Sequence, residues 1–288
     1  MRSGEKARVN NYIKNMSEHK EINPESEMIK EAEKFAKDLA KEVGDKLIKL
    51  RAGIKPSEWK LRTNFKTQAD DIADKMIREA IEGKYPSHRI MSEELDAKET
   101  SSEYVWVVDP LDGTIPYTNK ASEHYGVAIA LVKGNEPVMG VFYAPTMGEE
   151  GSSAMYSASK GEGAFCNGKK IECSSIDNLN KAFMTVDFGK LERSKILPMV
   201  EKLLADDGVG YLTVYASCAS SMAQVADGRL HGYFHPKAEP WDMAATAVIC
   251  KEAGCSVTNL DGQDWKLDDE SIVALPSKLK KQFFEKIK

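Results

Sequence analysis

The residues best equipped for chemistry in this 288-residue chain stand together in the run Val105-Trp106-Val107-Val108-Asp109-Pro110-Leu111-Asp112-Gly113-Thr114. The apolar, β-branched first half reads as a buried strand, and Pro110 and Gly113 mark a sharp exit from it. Two carboxylates therefore stand at the carboxyl end of a strand, the edge where α/β sheets usually place ligands. Asp109 and Asp112 can converge on one point and the Leu111 carbonyl can join them, a donor set that hard divalent cations prefer. The backbone amides of Gly113 and Thr114 suit a phosphate if a helix or turn begins there. Taken alone, D-x-x-D-G also reads as a turn carrying two solvated carboxylates.

Three other acids are placed in comparable ways. Asp70, in Thr67-Gln68-Ala69-Asp70, falls in the first turn of a helix whose apolar face is Ile72, Met76, Ile77, Ala80 and Ile81. By itself it is a helix-start acid favoured by the helix dipole. Glu93, in Ser92-Glu93-Glu94, follows a short strand over 88–91, where solvated charge is the plain alternative. Asp242, in Pro240-Trp241-Asp242-Met243-Ala244-Ala245, stands at the positive end of a helix whose small residues permit close packing. It too reads, alone, as an N-terminal acid.

The elements that must position these residues follow from periodicity. Asn23-Pro24 caps a long amphipathic helix that keeps its spacing from Met28 to Leu50 and stops by Gly53. Residues 55–67 are polar and loop-like around Trp59. Strands are expected at 127–132 and 138–143, joined by Gly134-Asn135, and at 155–157, 163–166 and 169–172, the last two turned by Asn167-Gly168. Gly161-Glu162-Gly163 lacks the third glycine of a dinucleotide loop and opens no helix. Beyond Ser175 strands (182–186, 209–214, 230–234, 256–258, 272–275) alternate with helices (191–204, 217–226, 241–253, and a basic one from Ser277). The expected organisation is a flexible leader over 1–22, an α+β subdomain over 23–175, and an α/β subdomain over 176–288 that shares its cleft.

Composition narrows the classes further. Charged residues make up 30% and hydrophobic ones 42%, as in soluble globular proteins. A formal net charge of −5 gives no support to binding a nucleic acid polymer. No apolar run approaches a membrane span, and the first residues are too polar for a signal peptide. The five cysteines form no C-x-x-C pair and read as reduced packing thiols, so a cytoplasmic location is expected. There is no G-x-S-x-G elbow of a serine hydrolase and no H-E-x-x-H metal motif.

Together, Thr67-Gln68-Ala69-Asp70, Ser92-Glu93-Glu94, Asp109-Pro110-Leu111-Asp112-Gly113-Thr114 and Trp241-Asp242-Met243-Ala244-Ala245 resemble, in order and spacing, the inositol monophosphatase family of metal-dependent, lithium-sensitive phosphatases. The resemblance runs from about residue 28 to residue 275. It implies an α+β fold, a layered αβαβα sandwich with the site between its halves, and a homodimer. It makes Glu93, Asp109 and the Leu111 carbonyl ligands of a first Mg²⁺, and Asp109, Asp112 and Asp242 ligands of a second, with Glu93 sharing a weaker third site. Asp70 and Thr114 match the positions that orient and deprotonate a water beside Glu93, and the Gly113 and Thr114 amides match a phosphate cradle. Crowded carboxylates resist ionisation unless cations neutralise them, and paired metal ions can activate water and stabilise a leaving alkoxide.

The chain departs from the family pattern at the pocket rim. Ser92 replaces the usual glycine, and Ile115-Pro116-Tyr117 replaces the common asparagine–phenylalanine pair. His235 stands where inositol-cleaving members carry a substrate-binding glutamate. A histidine there can donate to a hydroxyl and, if protonated, attract a second anionic group; it can equally be a strand-end residue bonded to backbone. Cys218 takes the place of a small pocket residue, and Glu239 is a nearby substitute acid. The expected reaction is Mg²⁺-dependent hydrolysis of a small phosphate monoester, inositol monophosphate by family default. Histidinol phosphate, fructose bisphosphate or a 3′-phosphorylated adenosine nucleotide are alternatives within the same chemistry. A catalytically silent protein that binds phosphorylated metabolites is the alternative of another class.

Overall fold

The computed structural model describes residues 23–54, 66–94, 100–188 and 193–288. The expected leader over 1–22, and most of the polar loop with Trp59, lie outside the described residues. Along the chain the first half runs α1 (Pro24–Arg51), α2 (Gln68–Lys84), β1 (Arg89–Ser92), β2 (Tyr104–Asp112), α3 (Thr114–Asn119), β3 (Gly126–Lys133), β4 (Glu136–Ala144), β5 (Ala154–Ser159), β6 (Gly163–Cys166) and β7 (Lys169–Ile171). The second runs β8 (Phe183–Val186), α4 (Arg193–Leu203), β9 (Tyr211–Thr213), α5 (Cys218–Ala226), β10 (Gly232–His235), α6 (Pro240–Glu252), β11 (Cys255–Thr258), β12 (Ile272–Pro276) and α7 (Lys280–Ile287).

Local chemistry accounts for the first two helices. The Asn23 side chain accepts from the Glu25 N–H at 3.1 Å, and Pro24 fills the first turn, where its missing N–H costs nothing. Ala32, Ala36, Leu39, Ala40, Val43 and Leu47 bury one face of α1. On α2 the stripe is Ala69, Ala73, Ile77 and Ile81, again at helical spacing.

Both helices cover one face of a seven-stranded sheet whose spatial order, β1 to β7, is the chain order. β1 and β2 are parallel and the remaining neighbours antiparallel. The two-residue alternation of β2 sends Trp106 and Val108 toward α1 and α2, and Val105 and Val107 to the opposite face. There α5 and α6 lie buried between this sheet and a second one, ordered β11-β12-β10-β8-β9. The outer face of the second sheet is closed by α4 and α7 through Ile196, Leu203, Phe283 and Ile287. The result is the layered αβαβα sandwich that the resemblance implied.

Helix α6 needs close approach, and Gly140 on β4 provides it. A Cβ at Gly140 would collide with the carbonyl of Ala245, so the small-residue face of α6 rests directly on sheet backbone. Some boundaries differ from the periodic reading. The strand expected from Leu230 begins at Gly232, because the Leu230 N–H still returns to the Gln224 carbonyl at 2.9 Å in the turn that ends α5. The last helix starts at Lys280, after a turn in which the Leu279 N–H bonds the Pro276 carbonyl at 2.9 Å. The strand expected over 209–214 is shortened to the three-residue edge strand β9.

Candidate active site

Strand register brings the first acids together. In the parallel β1–β2 pair Ser92 stands opposite Val108, so Glu93, just past the end of β1, comes beside Asp109 on β2. Asp109 continues the face of Val105 and Val107, toward the α5–α6 layer. Between Asp109, opposite Ala128, and Asp112, opposite Gly126, β2 carries one residue more than β3. This bulge re-aims the chain, as bulges beside functional sites do. The Leu111 N–H closes back on Asp109 Oδ1 at 3.0 Å while the Leu111 side chain is buried against the α1–α2 layer. Asp109 and Asp112 are consequently buried, not solvated.

Asp70 and Asp242 are each held by the terminus of their own helix, and Asp112 by that of α5. Asp70 is the third residue of α2 and reaches back to its N-cap: Oδ2 accepts from the Thr67 N–H at 2.8 Å and the Thr67 hydroxyl at 2.6 Å. Its other oxygen accepts from the Thr114 hydroxyl at 3.0 Å, and that hydroxyl is also 3.0 Å from the Leu111 carbonyl. Asp112 accepts from the Ser217 hydroxyl and from backbone N–H groups of Ala219 and Ser220 at the start of α5. Asp242 is the third residue of α6, and its Oδ2 accepts from the Glu239 N–H at 2.9 Å. Gly113, with φ of +79°, turns β2 into α3; a Cβ there would strike the His124 carbonyl and stand 3.2 Å from the Ser217 side chain.

The electrostatics match the crowding. Burial, then the charges of Glu93, Asp112 and Asp242, push the Asp109 carboxyl well above the usual range. Burial pushes Asp112 up to about 7 against its hydrogen bonds from Ser217 and α5. Asp70 is raised by burial, with the bonds from Thr67 and Thr114 opposing. Glu94 is raised to about 7 by burial, although Lys66 pairs with it. Among the described residues, no three acidic, histidine or cysteine groups already close into a metal cage. The donor set nevertheless fits a hard divalent cation: buried, mutually repelling carboxylates and a carbonyl oxygen.

The profile of the inositol monophosphatase family matches residues 27–288. The chain belongs to the inositol monophosphatase family. It is therefore a phosphoric monoester hydrolase by kinship. Among its relatives, a fructose-1,6-bisphosphatase/inositol-1-monophosphatase of Aquifex aeolicus is 33% identical over 74% of this chain and 78% of its own length. A putative Nus factor SuhB of Neisseria meningitidis is 31% identical over 80% of this chain and 86% of its own. The crystal structure of the extragenic suppressor protein SuhB from Bartonella henselae superimposes with a TM-score of 0.81 at 25% identity, covering 88% of this chain and 97% of that one.

Within this family member the pocket-rim residues take specific places. His235 ends β10 on the same strand face as Tyr233, and its Nδ1 accepts from the Lys237 N–H at 3.1 Å. Burial lowers its pKa to about 4, so the ring is neutral at neutral pH. That burial disfavours the protonated ring that would attract an anionic group, and it leaves Nε2–H able to donate to a hydroxyl. Cys218 is the first residue of α5, buried beside the Tyr233 hydroxyl, with its thiol raised by burial and by the charges of Asp242 and Asp112. Glu239 caps α6 through its backbone.

Three contributors escaped the sequence reading. Thr67 lies within the motif, but its double bond to Asp70 is signalled only by T-x-x-D before an apolar run. Ser217 signals a helix start, and nothing in its spacing points to Asp112, 105 positions away. Asp187, buried after β8, has no motif at all; burial pushes its carboxyl up to about 6.

Proposed function

We propose that this protein hydrolyses a small phosphate monoester with Mg²⁺ as cofactor, most simply inositol monophosphate. The observation that carries the reading is the convergence on buried Asp109 of three further carboxylate charges, from Glu93, Asp112 and Asp242. Such a cluster is stable in its ionised form only beside cations. Glu93, Asp109, the Leu111 carbonyl, Asp112 and Asp242 would hold two to three Mg²⁺ ions, which supply Lewis-acid activation of a water and of the leaving oxygen. The chain's own part is to aim and deprotonate. Thr114 Oγ1 accepts a proton from the attacking water as its own proton passes to Asp70, whose raised pKa suits it to receive one. The Gly113 and Thr114 amides and the short helix α3 orient the phosphate oxygens. Cys218, His235 and the α6 terminus at Asp242 line the side facing the alcohol, where the neutral His235 Nε2–H donates to a hydroxyl.

The alcohol is open to four choices within this chemistry: inositol, histidinol, a sugar bisphosphate or an adenosine nucleotide. The relative named as both fructose-1,6-bisphosphatase and inositol-1-monophosphatase supports the first and third. A silent binding role is disfavoured because all five acids are present. The relative named a putative Nus factor SuhB raises a second role with nucleic acid or its machinery; the net charge of −5 argues against direct polymer binding. Lithium inhibition and a homodimer belong to the same reading, as does a division of labour between subdomains 23–175 and 176–288. Among the described residues no helix is long and apolar enough to cross a membrane. The test is phosphate release from a panel of these esters with Mg²⁺, with chelator, and with Mg²⁺ plus lithium. Release that requires Mg²⁺ supports the mechanism and ranks the alcohols; no release from any ester with metal supplied removes it.

A further inference from the structure

Asp187 lies outside the five acids of the motif, yet it is buried at the junction of three segments of the second half. It follows β8 directly. One oxygen accepts from the Ala216 N–H at 3.0 Å, and the other from the Tyr233 hydroxyl on β10 at 3.3 Å. Ala216 has a φ of +57°, the left-handed region that costs a residue with a Cβ and persists where surrounding contacts impose it. The next residue, Ser217, caps α5: its oxygen accepts from the Ser220 N–H at 3.2 Å while its hydroxyl donates to Asp112. A serine hydroxyl has one proton, so with the Ser220 bond in place that proton is directed to Asp112. The left-handed turn at Ala216 thus decides where the Ser217 proton points.

We propose that Asp187 is a positioning residue for the metal-binding carboxylates: by anchoring the Ala216 N–H it presents the Ser217 hydroxyl to Asp112. The inference rests on the Mg²⁺-phosphatase reading above. It also accounts for a carboxylate in a place where desolvation makes one costly. Asp187 touches neither water nor phosphate in this scheme; its positioning effect runs through Ser217, while its charge also acts across space to raise the Asp112 carboxyl, a contribution that Asp187→Ala and Asp187→Asn remove alike.

The test measures Mg²⁺ binding by calorimetry, and hydrolysis of inositol monophosphate, on the full chain. Partners behind a metal ligand typically alter affinity about 10- to 100-fold, and Asp187→Ala and Ser217→Ala should each weaken Mg²⁺ binding by about the lower figure. The double variant should be no weaker than the weaker single one, because both changes remove one device. Adding Ala216→Gly to Asp187→Ala should recover most of the loss, since glycine adopts the left-handed turn unaided. Asp187→Asn, which keeps an oxygen for the Ala216 N–H, should bind Mg²⁺ within about threefold of wild type, and it serves if Asp187→Ala does not fold. Losses that multiply in the double variant, no recovery with Ala216→Gly, or an Asp187→Asn as weak as Asp187→Ala would overturn the proposal. Wild-type protein that neither binds Mg²⁺ nor releases phosphate would instead remove the reading beneath it.

Discussion

The Thr114 hydroxyl lies 3.0 Å from Asp70 Oδ1, joining the first turn of α3 to the first turn of α2 across 44 positions of sequence. The same hydroxyl is 3.0 Å from the Leu111 carbonyl. It has one proton and two acceptors, so a cation that engages the Leu111 oxygen leaves the proton to Asp70. Thr114 and Asp70 then act as a relay whose loss should show in turnover more than in binding. Thr114→Val and Asp70→Asn should each lower kcat on the order of 10²- to 10⁴-fold, the range for a positioned general base. KM and the Mg²⁺ dissociation constant should stay within about threefold. Steady-state kinetics with metal titration check this; a fall in Mg²⁺ affinity as large as that in kcat would place Thr114 in the metal shell.

The charges of Glu93, Asp112 and Asp242 all act on Asp109, so Asp109→Asn should abolish Mg²⁺-dependent phosphate release. The fold should survive, because the substitution removes a repelled, buried charge and keeps the oxygen that accepts from the Leu111 N–H. Thermal melts with and without Mg²⁺ separate the two effects. Mg²⁺ should raise the melting temperature of wild type and leave that of Asp109→Asn nearly unchanged. The wild-type rise should be larger at pH 8 than at pH 5, since Asp112, pushed up to about 7, holds a competing proton at the lower pH.

Gly113 is bound by both conformation and space. Gly113→Ala must place a Cβ at φ of +79° and against the His124 carbonyl. The backbone is pinned there by the Tyr117 N–H bond to the Gly113 carbonyl at 3.0 Å. A loss of about 2 kcal/mol or more in urea unfolding is expected, together with lost activity, because the turn carrying Thr114 must shift. Unchanged stability would show that the turn relaxes freely.

His235 carries a pH signature of definite sign. Its pKa falls from 6.5 to about 4 on burial, so the folded state resists protonation that the unfolded chain accepts. Its contribution is whole above about 6.5 and drains as pH falls toward 4, by roughly 3 kcal/mol in all. Asp112 and Asp187, with raised values, drain in the opposite direction as pH rises through the same range. The comparison that isolates His235 is His235→Gln against wild type: their difference in unfolding free energy should change by that amount between pH 7 and pH 4. His235→Glu should also shift preference toward inositol phosphates if the ring meets the alcohol. An unchanged substrate ranking would leave His235 as a strand-end residue bonded to Lys237.

The sequence by itself determined the parts whose causes are local. Asn23-Pro24 starts α1, Thr67 and Asp70 start α2, and Gly113 ends β2, because caps, glycine torsions and side-chain periodicity act within a few residues. It also determined the family, since D-P-L-D-G-T with its flanking acids is a contiguous signal. The tertiary structure decided what those residues meet. Glu93 reaches Asp109 through the register of β1 on β2. Ser217 reaches Asp112 because α5 is buried between two sheets, and the lowered pKa of His235 follows from its burial. Asp187 shows the limit most clearly: an acid after a strand is ordinary in sequence, and its partners Ala216 and Tyr233 are chosen by packing. Long-range burial and charge depend on which segments are stacked together, and no spacing along the chain encodes that.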